Sequence, residues 1–203
     1  MHTALTHYQD VVLRHGSLAP EIWGRVVYAI HLQPQERPCF LDFPGFCDKG
    51  MGFVARLYGT GEHLADVIQR IQPLAQHDLI SIEDVTALPE IDDATEFGVT
   101  FRAKATHSAR ERRHQKRAVA RALKAGDPLP EFSAPKPMPV SQCRYPRSYI
   151  KMMSASTQTL FPLLIRRKVV PSDQAIALMD TPRAGSSYGL GVPVPLIRHH
   201  AER

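Results

Sequence analysis

Nine basic side chains lie close together in the middle of the chain, and their most direct chemistry is the binding of phosphate. Only one acidic residue, Glu111, lies among them, so the stretch has a formal charge of +8. The rest of the chain has sixteen basic and nineteen acidic residues, a charge of −3. A focused positive field of this kind indicates a polyanion as partner. The nine are Arg102, Lys104, Arg110, Arg112, Arg113, Lys116, Arg117, Arg121 and Lys124.

The basic stretch has the periodicity of a helix, which we predict over Ser108–Lys124. Ser108 suits the N-cap position, and Gly126 suits the position just past the end. A helix of this length rises roughly 25 Å, which is enough to follow several phosphates. At 100° per residue, one stripe contains Arg110, Arg113, Arg117, Arg121 and Lys124, with Arg112 and Lys116 beside it and Val119, Ala122 and Leu123 on a separate apolar stripe.

A charged helix is most often only a solvated surface, but two features argue against that interpretation here. Solvated helices usually interleave glutamate with lysine at four-residue spacing, whereas acids are almost absent from this one. Arginine also outnumbers lysine five to two between Ser108 and Lys124, and its planar guanidinium suits two-point contacts with phosphates and base edges. Nucleic acid is therefore the favoured partner, and a localisation-type or partner-binding helix is the alternative.

The elements before the basic stretch predict a mixed α+β fold. Their order, β-α-β-β-α-β, is that of the ferredoxin-like split unit, with helices on one face of an antiparallel sheet. We predict a ferredoxin-like domain over residues 1–95 and a smaller C-terminal domain over residues 96–203 that carries the arginine-rich helix. The predicted elements are strand Tyr8–Leu13, helix Glu21–Leu32, strands Cys39–Phe43 and Gly52–Tyr58, helix Glu62–Ala75 and strand Leu79–Val85, followed later by an extended segment at Val99–Ala103, a proline-rich connection at Asp127–Pro146 and a strand at Leu160–Val170.

The sequence gives no indication of a membrane-spanning helix, a secretory signal, a disulfide framework or a metal site. No apolar run approaches the roughly 18 residues typical of a membrane-spanning helix, and no secretory signal is apparent. Cys39, Cys47 and Cys143 are scattered and odd in number, as expected for reduced thiols in the cytoplasm. No motif with metal-ligand spacing is present, so we expect neither a metal nor another cofactor.

Three features of the chain resemble the CRISPR RNA-processing endoribonucleases of type I-F systems. They are the arginine-rich helix, the segment Ser154–Phe161 followed by Leu164-Ile165-Arg166, and the segment Ser186–Leu190. That family pairs a ferredoxin-like N-terminal domain with a smaller C-terminal domain that carries an arginine-rich helix. The resemblance covers most of the chain, and the occurrence of the three features in the family's order makes it specific.

The resemblance implies a catalytic site built from three residues. It places the family's catalytic histidine at His31, its active-site serine at Ser154 and the tyrosine of its Tyr-Gly-Leu motif at Tyr188. Each of these has a plainer interpretation when the resemblance is set aside. A histidine at a helix end is more often a partner of the helix dipole, the serine a turn residue, and the tyrosine a core residue.

The resemblance also implies the RNA contacts. The family's helix lies in the major groove of the CRISPR repeat hairpin, where its basic contacts match Arg112, Arg113, Lys116 and Arg117. Ser156 stands beside the active-site serine, and Phe161 matches an aromatic that stacks on a nucleotide. The chain departs from the family where Thr100-Phe101-Arg102 replaces the usual Arg-x-Gln before Ala103-Lys104. Base recognition is therefore expected to differ, with Arg102 as the remaining candidate.

The function implied is that of a metal-independent endoribonuclease. It would bind the repeat hairpin in the precursor transcript and cleave by attack of a 2′-hydroxyl, giving a 2′,3′-cyclic phosphate. It would then stay on the mature CRISPR RNA with the other subunits of the type I-F surveillance complex. The alternative is a non-catalytic protein that binds structured RNA.

Overall fold

The computed structural model describes residues 5–34, 38–47, 50–91, 95–103, 107–131, 148–154, 159–180 and 188–197. The chain divides into two compact units, of which the first is residues 1–102 with 145–203 and the second is residues 103–144. None of the described helices is both long enough and apolar enough to span a bilayer. The strands are β1 (His7–Leu13), β2 (Phe40–Asp42), β3 (Val54–Gly59), β4 (Ile80–Ile82), β5 (Thr86–Ala87), β6 (Phe97–Arg102), β7 (Ser148–Met153), β8 (Leu160–Val170) and β9 (Pro193–Pro195), and the helices are α1 (Ala19–His31), α2 (Gly61–Gln76), α3 (His107–Ala125) and α4 (Ser172–Asp180).

The first sheet is antiparallel and is built from the N-terminal half of the chain. β1 lies between β3 and β4, with β2 beyond β3, and β5 also pairs with β1. Helices α1 and α2 begin and end within two residues of their predicted bounds. β2 and β4 are shorter than predicted because only three residues of each apolar run find a ladder partner. The predicted α+β class is confirmed, and the ferredoxin-like assignment stays a prediction.

The second sheet is also antiparallel, in the order β7-β8-β6-β9. The predicted strand Leu160–Val170 has the same bounds as β8, whereas β7, β9 and α4 were not predicted. β9 reads Pro-Val-Pro, and proline normally argues against a strand because it cannot donate to a ladder. Its position at the edge of the sheet, where only one side is paired, explains why the prolines are tolerated.

Helix α1 belongs to the cores of both sheets. Its predicted inward residues, Ile22, Val26, Ala29 and Ile30, are all buried. Trp23 is fully buried as well and packs edge-on against Phe43, with ring centroids 5.7 Å apart. The same hydrophobic cluster contains Ile150 and Met152 of β7 and Leu163 and Ile165 of β8. Because α1 is covered on two sides, it buries more than the single stripe that its periodicity predicts.

Asp42 ties the two sheets together, whereas Asp10 is paired within the first sheet, and both carboxylates are buried. Asp42 on β2 accepts hydrogen bonds from Nε and Nη2 of Arg167 on β8, at 2.8 and 2.7 Å, and from Oγ1 of Thr100 on β6, at 2.6 Å. Asp10 on β1 accepts from Nε and Nη2 of Arg56 on β3, at 2.6 and 2.7 Å. Both carboxylates are therefore paired, as buried charges must be to avoid a large desolvation cost.

Gly24 allows α1 to approach β7 closely, and we expect alanine there to be destabilising. A Cβ at this position would lie 1.9 Å from the Lys151 carbonyl oxygen, so the helix would have to move away from the strand. Gly24→Ala should lower the free energy of unfolding by about 1–3 kcal/mol, as overpacking usually does. Chemical denaturation of the two proteins measures this difference.

Gly61→Ala is the matched control for this prediction. Gly61 is also a helical glycine, at the start of α2, but nothing lies within 4 Å of its added Cβ. Alanine there should leave stability unchanged or slightly raised, since it restricts the unfolded chain. If the two variants unfold at the same denaturant concentration, the close approach of α1 to β7 does not require glycine at position 24.

Candidate active site

A small cavity of about 150 Å³ lies in the first unit, where the C-terminal end of α1 meets the β7–β8 connection. The structure thus brings together all three residues that the resemblance places in the catalytic site, and with them the aromatic expected to stack on a nucleotide. A larger and more open groove, of about 1260 Å³, is lined by other described residues of the same unit. The small cavity is lined by Tyr28, His31, Met152, Met153, Ser154, Phe161 and Tyr188.

His31 is the last residue of α1, and its ring has two aromatic neighbours. Its imidazole stacks on Tyr188, with ring centroids 4.8 Å apart and an interplanar angle of 28°. Tyr28, one helical turn earlier, lies 6.3 Å from His31 with an angle of 42°. The Nδ1 atom of His31 is buried and has no hydrogen-bond partner among the described residues. A buried polar atom without a protein partner is unusual, and a bound ligand can supply the missing bond.

The turn that carries Tyr188 is fixed between the two sheets. Gly189 has a φ of +69°, and a Cβ there would lie 2.5 Å from the Cys39 carbonyl oxygen, so this position requires glycine. Its own carbonyl accepts the N–H of Leu41 at 3.0 Å, and the Gly191 N–H donates to the Thr100 carbonyl at 2.7 Å. Leu190 is buried between these two contacts. The stack of Tyr188 on His31 therefore rests on backbone contacts with β2 and the strand β6.

Ser154 follows β7 directly and is half-buried in the cavity wall. Its backbone N–H donates to the Thr159 carbonyl at 3.0 Å, which closes the connection between β7 and β8. Phe161, near the start of β8, is partly buried against the hydrophobic core. Ser156 lies outside the described residues. The serine and the phenylalanine thus approach the histidine from one hairpin, whose first strand the sequence did not predict.

Helix α3, in the second unit, extends one residue beyond the predicted helix at each end. Ser108 consequently lies inside the helix and is not its N-cap, contrary to prediction. Part of the predicted apolar stripe is also not buried, because Leu123 is 67% exposed. The side chains of Arg110 and Arg112 lie outside what the structure describes, as does the whole of Lys104. The basic side chains of the basic stretch that the structure describes are exposed. They are Arg102 at the end of β6 and, on α3, Arg113, Lys116, Arg117, Arg121 and Lys124.

Two of the three cysteines fall within the described residues, and both are free thiols. Burial raises the pKa of the Cys39 thiol to about 12, so this thiol is protonated at neutral pH and is a poor nucleophile. Cys47 is exposed, and Cys143 lies outside the described part. No group of three or more His, Cys, Asp and Glu side chains within that part is arranged as a metal site requires.

The sequence interpretation missed three residues of the cavity wall. Met152 and Met153 belong to the unpredicted strand β7. Tyr28 was within a predicted helix, three residues before His31, and this one-turn spacing could have indicated that both face the same site.

Comparison with known proteins identifies a family for the chain. A family model described as CRISPR-associated protein (Cas_Csy4) matches residues 8–192. The matched region contains every residue that lines the small cavity and the whole of α3. No curated protein matches the chain.

Proposed function

The chain belongs to the CRISPR-associated Cas_Csy4 family, which implies CRISPR-associated RNA processing, and from that premise we propose the reaction that it performs. The protein is a metal-independent endoribonuclease of the type I-F group that binds the repeat hairpin and cleaves the precursor CRISPR RNA. The observation that carries the proposal is the cavity in which His31, stacked on Tyr188, lies beside Ser154. These residues come from three separate parts of the chain.

The proposed reaction is an internal transfer at one phosphate. The 2′-hydroxyl of the ribose attacks the adjacent phosphorus while the bond to the 5′-oxygen of the next nucleotide breaks. His31 accepts the proton of the hydroxyl, and a proton is returned to the departing 5′-oxygen. The products are a 2′,3′-cyclic phosphate and a 5′-hydroxyl. Imidazole suits this role because it accepts and donates protons near neutral pH.

The other cavity residues position the reacting groups. Tyr188 covers one side of the imidazole and so restricts its rotation, which keeps a nitrogen directed towards the substrate. Ser154, in the cavity wall, is placed to orient the ribose hydroxyl. Holding the hydroxyl in line with the phosphate is itself a large part of catalysis in reactions of this type.

The hairpin is held by the exposed basic side chains of α3, with Arg102 contributing to base recognition. The predicted contacts are those of Lys104, Arg110, Arg112, Arg113, Lys116, Arg117 and Arg121, together with Ser156 and Phe161. Cleavage at the base of the stem does not remove the phosphates that α3 binds, so the product is expected to stay bound. The retained product would then join the other subunits of the surveillance complex in the cytoplasm.

We also propose that the N-terminal half is a ferredoxin-like domain. The support is its element order, β-α-β-β-α-β, together with the antiparallel strand order β2-β3-β1-β4. In this arrangement α1 is one of the two helices, and its C-terminal end delivers His31 to the cavity.

Cleavage of a repeat hairpin in the presence of EDTA tests the proposed reaction. Because His31, Ser154 and Tyr188 supply the proposed groups, we expect one defined cut that is unaffected by the chelator. Mapping of the product ends should give a 2′,3′-cyclic phosphate. The control is the same RNA with a 2′-deoxyribose at the attacking position, which should bind but remain intact.

Two results would refute this reaction. Activity that disappears in EDTA and returns with Mg²⁺ would show that a metal ion supplies the chemistry. Tight binding with no cleavage under any condition would favour the alternative, a non-catalytic protein that binds structured RNA.

A further inference from the structure

Tyr28 forms a wall of the cavity, yet neither the sequence pattern nor the family resemblance gives it a role. Its side chain is 39% exposed, whereas its neighbours on both sides along α1, Val27 and Ala29, are buried. Its ring is tilted against His31 at a centroid distance of 6.3 Å. A large aromatic that is left half-open beside a candidate catalytic residue offers a face to a ligand.

The dimensions of the cavity suit a single flat ring. Its volume of about 150 Å³ equals that of an engineered protein cavity which holds one benzene molecule, roughly 150 Å³, so a base of pyrimidine size fits. The aromatic walls include Tyr28, Phe161 and Tyr188. The thioethers of Met152 and Met153 add polarizable surfaces that pack well against rings.

The polar side-chain groups of the cavity wall belong to His31, Ser154 and the two tyrosines. A nucleotide uses both kinds of wall, because it can place its base against the aromatic rings and its ribose near the histidine and the serine.

We infer that Tyr28 is a further RNA-contacting residue, which stacks on the base of a nucleotide adjacent to the cut. This inference rests on the proposed function, because it takes the ligand of the cavity to be the RNA strand at the cleavage site. It adds a contact at the cut that is independent of the basic helix. Stacking is tolerant of base identity. Tyr28 therefore helps to hold the RNA strand in position and contributes little to the recognition of its base sequence.

The test measures binding and cleavage separately. The binding probe is a repeat-hairpin RNA with 2′-deoxyribose around the base of the stem, which cannot undergo the proposed reaction. Tyr28→Ala should weaken binding of this RNA about ten-fold, within the range usual for loss of one base stack. Tyr28→Phe should bind like the parent protein, since the ring is kept. Leu32→Ala is the control, because Leu32 is 45% exposed at the end of the same helix but does not line the cavity.

An abasic scan identifies the stacked nucleotide. Bases around the foot of the stem are removed one at a time, and each RNA is bound to the parent protein and to Tyr28→Ala. At one position we expect the two proteins to bind equally, because the partner of the ring is gone. If Tyr28→Ala binds the intact RNA as the parent does, or stays weaker than the parent at every abasic position, the inference is wrong.

Failure of the proposed function would be visible separately. If the parent protein binds the hairpin but does not cleave the all-ribose RNA, the endoribonuclease proposal fails. The stacking inference is still decided by the binding data on the uncleavable RNA. If cleavage occurs normally and Tyr28→Ala has no effect on binding, only the stacking inference fails.

Discussion

His31→Ala is expected to reduce the rate of hairpin cleavage by at least about 100-fold, the lower end of what a general acid–base group contributes. The variant removes the imidazole that stacks on Tyr188 and whose buried Nδ1 has no partner among the described residues. Hairpin affinity should stay within a few-fold of that of the parent protein, because the proposed hairpin contacts are on α3. Single-turnover cleavage and equilibrium binding of the uncleavable RNA measure the two quantities.

His77→Ala is the matched control for this prediction. His77 is also at the end of a helix, as the C-cap of α2, but it is exposed and does not line the cavity. If a helix-end histidine mattered only through the helix dipole, both variants would lose similar stability and neither would lose cleavage selectively. Cleavage that survives His31→Ala would assign the chemistry to another group, and lost folding or lost binding would make His31 a structural residue.

The double variant Arg113→Ala, Arg117→Ala is expected to weaken hairpin binding at least about 100-fold, since contacts with charged groups contribute roughly 1.5–3 kcal/mol each. Both residues lie on α3 with exposed side chains. Each phosphate contact releases counterions, so the slope of log affinity against log salt should fall by about two. Affinities measured over a series of salt concentrations give both values.

A second double variant separates specific contacts from net charge. Arg14→Ala with Arg70→Ala removes the same two charges from exposed positions of the first unit. It should change affinity far less and leave the salt slope nearly as it was, because long-range attraction is screened at physiological salt. If both double variants lose affinity equally, or if neither does, α3 is not the RNA-binding element.

Local periodicity was enough to locate α1, α2, α3 and most strands. The bounds of α1, α2 and α3 follow from apolar or basic residues that recur every three to four positions, which the chain shows without any tertiary contact. β8 was also found correctly, since seven of its eleven residues are Leu, Ile, Val or Phe. The sequence also indicated the family, through the arginine-rich helix and the two short segments near Ser154 and Tyr188. The family match over residues 8–192 confirms this prediction.

Elements without a local signal were missed because their stability comes from neighbours. β9 is two prolines around one valine, and it forms a strand only because β6 offers it an edge. β7 is defined by its ladder with β8 and by its contact with α1 at Gly24. Arg56 and Tyr58 alternate with Ala55 and Leu57 along β3, yet both faces are buried. The side chains of Arg56 and Tyr58 donate to the carbonyls of Ile197 and Pro195, so the C-terminal segment covers their face.

The sequence by itself determined the residue types available for chemistry, the helical spacing that gathers the basic side chains on α3, and the position of His31 at the end of α1. Only the tertiary structure decided which of these residues meet. Pairing of β7 with β8 brings Ser154 and Phe161 to the end of α1, and the left-handed turn at Gly189 stacks Tyr188 on His31. Tyr28 faces the same side of α1 as His31 because of its one-turn spacing, but only this packing makes it part of a cavity wall. A cavity wall is made of residues far apart in the chain, and their proximity depends on packing between elements, which no local pattern encodes.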